Sequence, residues 1–206
     1  GLDPARTMDW NSLPSKNGST CTIYVPEEPY DDFYVKDAGG KDHYPDSDSE
    51  NSLPFTDVPQ GSFFYDAVRW AVEEGVTSGT TATTFSPYRG CTRGQVVTFL
   101  WRAAGCPEPK SSRNPFVDVP ADSFCHDAVL WAAEEGITTG VTADRFQPNA
   151  TVTRGQVVTF LWRWEGSPTA QKTSGFRDVA ASSFCAEAVS WAVAQGVTKG
   201  TTATTF

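Results

Sequence analysis

The sequence is poor in the residues on which most catalytic and metal sites depend. It contains only two histidines, His43 and His126, and no Cys-x-x-Cys pair. Zinc sites and thioredoxin-like redox sites usually need one or both of these features. We therefore expect no metal, no cofactor and no catalytic residues, and we interpret the protein as a non-enzyme.

Long apolar runs and positive charge are also scarce. No stretch of about 18 apolar residues occurs, which excludes a membrane-spanning helix. The N-terminal GLDPARTMDW lacks the apolar core of a signal peptide, so an exported chain would be in its mature form. The formal net charge of −9 argues against general nucleic-acid binding, which requires a basic face. With 39% hydrophobic residues, the chain can still build a folded core.

Internal repetition is the strongest feature that is present. A Phe-x-Asp-Val motif begins at residues 55, 116 and 176, and each copy is followed by an acid-Ala-Val-x-Trp-Ala segment and two spaced glycines. The first two units continue with Thr-Arg-Gly-Gln-Val-Val-Thr-Phe-Leu-Trp-Arg, and the third lacks this half. The repeats therefore span residues 53–106, 114–167 and 174–206. Residues 1–52 read as an irregular lead-in or the tail of a preceding domain, with one possible short strand over 20–25.

Each complete repeat predicts two helices. The first helix of the first unit should run from about residue 63 to 74, with Ser62 as its N-cap and Gly75 as its stop. The second should begin after Thr92, which forms a capping box with Gln95, and the same box recurs at 153–156. The second helix is apolar on almost every side, so we expect it at the centre of the domain.

A tryptophan lies off the apolar face of each first helix, one turn after an acidic residue. It is Trp70 in the first unit, Trp131 in the second and Trp191 in the third. Two interpretations remain open. The ring packs under a neighbouring loop while the acid is solvated, or the ring and the acid line a pocket.

The start of the second helix favours anion binding. Arg93 and Arg154 occupy the first helical position, and a glycine follows each of them. Free N–H groups and the helix dipole attract negative charge there, and a guanidinium can bind two oxygens of a carboxylate or phosphate. The alternative is that the arginine only bridges helices or caps a loop carbonyl.

Together these motifs resemble S-layer homology (SLH) repeats over residues 53–206. The resemblance implies a mainly α fold, in which helix-loop-helix repeats form a pseudo-threefold bundle. It also implies an extracellular module that anchors proteins non-covalently to the cell wall of Gram-positive-type bacteria. Its partner would be an anionic, possibly pyruvylated, secondary cell-wall polysaccharide.

Carried over residue by residue, the resemblance also implies a set of glycan-binding residues. The arginines would bind the carboxylate, and the aspartates would bind sugar hydroxyls or brace the pocket. The tryptophans would stack on the sugar or wall it in, and the glycines would offer backbone amides. The residues are Arg93, Arg154, Asp57, Asp118, Asp178, Trp70, Trp131, Trp191, Gly79, Gly140 and Gly200.

This sequence departs from the family pattern in two places. Gly-Gln follows the Thr-Arg pair where the family has Ala-Glu, which leaves the identity of the glycan open. The third unit lacks its Thr-Arg helix, so we expect the natural chain to continue past Phe206, or another segment or molecule to supply that helix. The alternative function is therefore a structural module that self-assembles into an oligomer or fibre through the incomplete third repeat.

The five cysteines allow two interpretations. They could form two disulfides and one free thiol in an oxidising compartment, or remain five reduced core residues. Because the rest of the chain looks exported, we expect at least one disulfide. A bridge from Cys91 to Cys125 would join neighbouring units. Cys125 and Cys185, however, align with Phe64, and Cys91 aligns with Val152, which favours buried thiols at those three positions.

Overall fold

The computed structural model describes residues 52–206 and, ahead of them, the backbone of four short strands. The strands form an antiparallel sheet in the order β1-β2-β3-β4. The strand expected over residues 20–25 corresponds to β2, and the other three strands were not predicted. The strands are β1 Leu13–Pro14, β2 Thr20–Ile23, β3 Val35–Lys36 and β4 Asp42–His43.

Residues 52–206 fold into helices joined by ordered loops, which confirms the mainly α prediction. No helix in this part of the chain is long and apolar enough to cross a bilayer. The helices are α1 Tyr65–Glu73, α2 Arg93–Ala103, α3 His126–Glu134, α4 Arg154–Trp164 and α5 Ala186–Ala194.

The second helices begin as their sequences predict. The Thr92 hydroxyl accepts from the Gln95 amide at 3.3 Å, and the Gln95 side chain accepts from the Thr92 amide at 2.9 Å. The same capping box opens α4 at Thr153. Each box satisfies two amides that a helix start leaves without partners, a contribution of about 1 kcal/mol.

The predicted N-cap of α1 is wrong, whereas its stop is confirmed. The Ser62 hydroxyl donates to the Pro59 carbonyl at 2.8 Å, and the Ser62 carbonyl accepts from the Tyr65 amide. This local turn uses the serine before the helix starts, so Phe64 becomes an N-cap without a side-chain bond. At the other end Gly75 has φ 71°, a conformation that ends helices and suits glycine.

The chain divides into two compact units, residues 1–89 and residues 90–206. In the first unit α1 packs over a small core formed by Phe55, Val58, Tyr65 and Val68. In the second unit α2 packs against α3, α4 packs against α5, and α2 also contacts α4. The second helix of each complete repeat therefore packs against the first helix of the next repeat. Among the fully buried residues between these helices are Val97, Val129, Ile137 and Phe146.

The cysteines correct the disulfide expectation. Cys91, Cys106, Cys125 and Cys185 are all free, so the bridge from Cys91 to Cys125 is not formed, and the side chain of Cys21 lies outside the described residues. Cys125 and Cys185 are buried where helices meet, and burial raises the pKa of the Cys125 thiol. Cys125 and Cys185 therefore follow the apolar-equivalent interpretation, because a sulfur fills the space that a core side chain would otherwise occupy. Cys91 is exposed, so the interpretation is wrong at that position.

Candidate functional site

The repeated aspartates brace the loop that carries the second Phe of each repeat. Asp118 accepts from the backbone amides of Phe146 and Gln147, both at 2.9 Å. Partial burial opposes ionisation of Asp118, but its bonds to the amides of Phe146, Gln147 and Asp118 itself and the charge of Arg145 together lower the pKa of this carboxyl. Of the two roles that the resemblance implied, the observed contacts are those of bracing. Asp57 binds the amides of Phe85 and Ser86 in the same way, and Asp178 binds that of Phe206.

The repeated arginines reach from a second helix to the loop of the following repeat. The Arg93 Nε donates to the Phe146 carbonyl at 2.8 Å, and its guanidinium carbon lies 4.8 Å from the centre of that ring. It also lies 5.2 Å from the ring centre of Phe160. Arg154 repeats this contact on Phe206, at 3.0 Å to the carbonyl and 4.8 Å to the ring centre. Each arginine therefore caps a loop carbonyl, as the alternative interpretation predicts, and it does so through its Nε atom.

Arg93 is a buried charge that forms no ion pair within residues 52–206. Only 5% of the surface of Arg93 is exposed. Among residues 52–206, no carboxylate lies within ion-pair distance of Arg93, and no acceptor lies within hydrogen-bond distance of its two terminal nitrogens. Burial lowers the pKa of Arg93, the charge of Arg163 lowers it further, and Asp118 partly offsets both. A buried cation without an ion-pair partner is costly, so an anion beside this position would be stabilising.

A pocket of about 180 Å³ adjoins Arg93 within the second unit. Two arginines line it and no aspartate or glutamate does, although the whole chain carries a net charge of −9. The site is thus a local concentration of positive charge. Within residues 52–206 no group of His, Cys, Asp and Glu could hold a metal ion. The lining residues are Arg93, Thr138, Thr139, Gly140, Val141, Gln156, Thr159, Phe160, Arg163 and Phe184.

The repeated tryptophans do not fit the stacking role. Trp131 and Trp191 are 5% and 4% exposed, and neither lines the pocket. Trp131 belongs to the core cluster of the second unit, and Trp70 in the first unit is half-buried. The structure therefore places Trp131 and Trp191 as the packing interpretation expects. A ring enclosed on both faces cannot receive a sugar without opening the core.

The repeated glycines shape the loops more than they offer free amides. Gly140 has φ 81°, and a Cβ added there would lie 2.5 Å from the Phe116 ring, so both backbone and space require glycine. Its amide donates to the Thr138 hydroxyl at 3.2 Å. Gly140 also lines the pocket. Gly79 and Gly200 share the positive φ and donate to Thr77 and Thr198.

The expected free amides at the start of α2 are in fact occupied. The Arg93 amide donates to the Ala150 carbonyl and the Gly94 amide to the Pro148 carbonyl, both at 2.9 Å. The loop of the second repeat docks across this helix end and forms an antiparallel bridge between Thr92 and Thr151. At α2 the prediction of an amide-based anion site is therefore wrong, and the guanidinium of Arg93 is the group that faces the pocket.

Of the ten residues that line the pocket, sequence reasoning named only Arg93 and Gly140 as site residues, and the eight that it missed include a second arginine and an exposed aromatic residue. Arg163 lies near the end of α4 and donates to the Ile137 carbonyl at 3.3 Å. Phe184 is 68% exposed, although it is large and apolar. The sequence contains a signal for Arg163 and another for Phe184, because equivalent residues recur in other repeats. Arg102 occupies the same place in the first copy of the second helix, and exposed phenylalanines occur just before each first helix, at 63, 124 and 184.

Comparison with known proteins adds family-level information. The family model for the S-layer homology domain matches residues 54–97, 115–158 and 175–206, together more than half of the chain. An endoglucanase from Bacillus sp. (strain KSM-635) is 36% identical over 113 residues, which cover 55% of this chain and 12% of that protein. The surface-layer 125 kDa protein of Lysinibacillus sphaericus is 33% identical over 96 residues, 47% of this chain and 8% of that protein. A cell surface protein of Thermoanaerobacter kivui is 29% identical over 116 residues, 54% of this chain and 15% of that protein. The chain therefore spans less than a fifth of the length of these relatives.

Proposed function

This chain belongs to the S-layer homology family, and from that premise we propose that its pocket beside Arg93 binds an anionic secondary cell-wall polysaccharide. The module is a cell-surface anchor, as the family and its surface-protein relatives indicate. The observation that supports glycan binding is Arg93 itself. Its buried guanidinium keeps its terminal nitrogens free of acceptors in residues 52–206 and borders a pocket without acidic residues.

The chemistry of the pocket suits a carboxylate on a sugar. A guanidinium presents a planar fork of donors that matches two oxygens of a carboxylate or phosphate. A pyruvate ketal would place a carboxylate directly on the sugar ring, which is why a pyruvylated glycan is the proposed ligand. Arg154 repeats the Nε and ring contacts of Arg93 on the third repeat and is the proposed second contact, although it is exposed and one of its terminal nitrogens donates to the Thr198 hydroxyl at 3.3 Å.

The proposed anchoring function requires binding and no catalysis. The similarity to the endoglucanase covers 113 residues, which are only 12% of that protein. Non-covalent anchoring needs specific contacts and slow dissociation, and it needs no acid, base or nucleophile. We therefore propose that residues 53–206 bind glycan without hydrolysing it.

Co-sedimentation with purified Gram-positive cell walls tests the proposal. We expect the chain to pellet with untreated walls and to stay in solution after acid extraction of the secondary polysaccharide. Equal pelleting with extracted walls, or none with any wall, would contradict glycan anchoring. A mass that rises with protein concentration in the absence of walls would instead support the self-assembly alternative.

Paired substitutions connect the function to the site. The double variant Arg93→Met, Arg154→Met should lose wall binding while its circular dichroism stays that of the parent. Arg113→Met, Arg177→Met is the matched control, because it removes the same two charges from exposed residues that do not line the pocket. Unchanged wall binding in the folded double variant would show that these arginines are not ligands.

A further inference from the structure

We propose that the peptide bond between Lys172 and Thr173 is a processing site, at which an extracellular protease specific for lysine cuts the anchor and detaches its third repeat. The site lies in linker 2, residues 166–175, which joins the second repeat to the third. Linker 1, residues 105–115, joins the first repeat to the second and provides an internal comparison. Such processing goes beyond the proposed function and does not depend on which ligand the pocket binds.

The two linkers begin in the same way. A tryptophan Nε1 of the preceding second helix donates to a proline carbonyl at 2.9 Å, from Trp101 to Pro107 in linker 1 and from Trp162 to Pro168 in linker 2. Each linker then carries a single lysine, Lys110 or Lys172. The chain therefore contains a matched pair of bonds that a lysine-specific protease recognises, and their surroundings differ.

The end of α3 holds linker 1 in place. The Glu134 carboxylate accepts from the backbone amides of Lys110 and Ser111, both at 2.8 Å. The Lys110 ammonium donates to the Glu135 carboxylate at 2.6 Å. An extended peptide is recognised through main-chain hydrogen bonds, and here both amides beside the Lys110–Ser111 bond are already occupied. A protease must therefore break these contacts before it can bind linker 1.

Linker 2 lacks these contacts because the acidic pair is missing at the end of α5. Ala194 and Gln195 stand where α3 has its two glutamates. No hydrogen bond or ion pair holds residues 169–173 within the range 52–206. Lys172 and the residue on either side of it are exposed. Exposed loop segments of small and polar residues are preferred sites of proteolysis, so linker 2 is the more vulnerable of the two.

Proline content adds to the difference. Linker 1 contains Pro107, Pro109 and Pro115, whereas linker 2 contains only Pro168. Each proline fixes φ and removes an N–H donor, so linker 1 adapts less easily to the active site of a protease. Segments with few contacts open at a low cost in free energy, and cleavage follows the population of the open form. Linker 2 should therefore be cut first.

Lys199, the third lysine of the repeats, lies in a closed loop. The Gly200 amide donates to the Thr198 hydroxyl at 3.1 Å, and the Thr201 amide donates to the Thr205 carbonyl at 2.8 Å. These bonds hold the backbone that follows Lys199. We therefore expect the bond after Lys199 to be cut more slowly than linker 2.

Hydrolysis adds one water molecule across the amide. The bond between the carbonyl carbon of Lys172 and the nitrogen of Thr173 breaks, the carbon gains an oxygen to become a carboxylate, and the nitrogen leaves as an ammonium group. The protease supplies the nucleophile and an acidic pocket for the lysine side chain. α5 packs against α4, and after the cut no covalent bond joins them. A short linker keeps two partners at an effective concentration of about millimolar, so residues 173–206 should leave on dilution.

Digestion with a lysine-specific endoprotease, followed over time by mass spectrometry, compares the three lysines in one molecule. We expect cleavage after Lys172 to be about tenfold or more faster than cleavage after Lys110 or Lys199. Cleavage after Lys110 that is as fast as cleavage after Lys172 would overturn the inference, because the contacts of linker 1 would then give no protection.

Exchange of the glutamates tests the physical cause. The double variant Glu134→Ala, Glu135→Gln gives α3 the residues that α5 has, and it should raise the rate of cleavage after Lys110 about tenfold. Cleavage after Lys199 is the control, because global unfolding would accelerate both cuts together. Unchanged cleavage after Lys110 would contradict the inference. Where both cuts accelerate, Glu134→Gln decides in the same way, because it keeps the shape of the side chain and removes its charge and one acceptor.

Lys172→Gln tests the detachment of the third repeat. After digestion and dilution, the parent chain should lose residues 173–206 in size-exclusion chromatography, whereas the variant should keep them. Retention of the fragment by the cut parent chain would overturn the detachment. Protein recovered from the culture medium of the producing bacterium should contain chains that end at Lys172, and their absence would overturn the processing role. None of these tests uses wall polysaccharide, so their failure is distinguishable from failure of glycan anchoring.

Discussion

Arg93→Met separates a structural role for this arginine from a binding role. The substitution removes the Nε bond to the Phe146 carbonyl, about 1.5–3 kcal/mol for a bond with a charged partner. It also removes two cation–π contacts, each about 0.5–1 kcal/mol and more when desolvated. Against these losses, the several kcal/mol needed to keep an uncompensated charge 5% exposed are no longer required. Methionine fills much of the same volume and brings no charge.

The two sides nearly cancel, so Arg93→Met should unfold within about 2 kcal/mol of the parent chain in urea. Wall polysaccharide binding should fall by about thirtyfold or more, because the anion loses a partner in a desolvated site and about 2 kcal/mol or more of binding free energy. Urea denaturation and calorimetric titration with the polysaccharide measure the two quantities on the same samples. Arg177→Met should change neither quantity by more than a small amount.

One combination of results would refute this reasoning. If Arg93→Met loses more than about 4 kcal/mol of stability, the arginine behaves as one member of a satisfied buried pair. If the remaining folded protein also binds the glycan as tightly as the parent, Arg93 is structural. The charge beside the pocket would then have no ligand.

Three further predictions concern the framework around the site. A Cβ added at Gly94 would lie 3.1 Å from the rigid Pro148 carbonyl, whereas a Cβ added at Gly155, the equivalent glycine in α4, would meet only side chains. Gly94→Ala should therefore lower the melting temperature more than Gly155→Ala does. The pKa of Asp118 is lowered in the folded state. The ionised carboxylate therefore stabilises the fold above its unfolded pKa, and this stabilisation is lost as pH falls through its folded pKa. Asp118→Asn should thus lose less stability than the parent between about pH 5 and pH 2 in acid titrations followed by circular dichroism. Thr92→Ala should cost about 1 kcal/mol in urea unfolding through loss of the capping box, and Thr92→Ser should recover most of it.

Repetition made much of the helical framework predictable. The capping boxes and the helix-ending glycines depend on short stretches of sequence, and they lie where the repeats predict. The N-cap of α1 failed for a local reason. The Ser62 hydroxyl found the Pro59 carbonyl in a turn, and sequence patterns do not distinguish that bond from a helix cap.

The site was less predictable because it arises from packing between repeats. The side chain of Arg93 was singled out by its position in a motif, yet its partner Phe146 lies 53 residues away in the next repeat. The same docking occupies the α2 amides that a single-helix view leaves free. The sequence left two roles open for Trp131 and gave none to Phe184, because periodicity within a helix does not reveal which neighbouring loop covers a ring.

The most direct test of the central claim is a crystal structure of this chain with an oligosaccharide released from the secondary cell-wall polysaccharide. We expect a carboxylate or phosphate oxygen within about 2.7–3.2 Å of the Arg93 terminal nitrogens, in the pocket that Arg163 also lines. An oligosaccharide bound elsewhere on the chain, with the guanidinium of Arg93 left without an anion, would contradict the account.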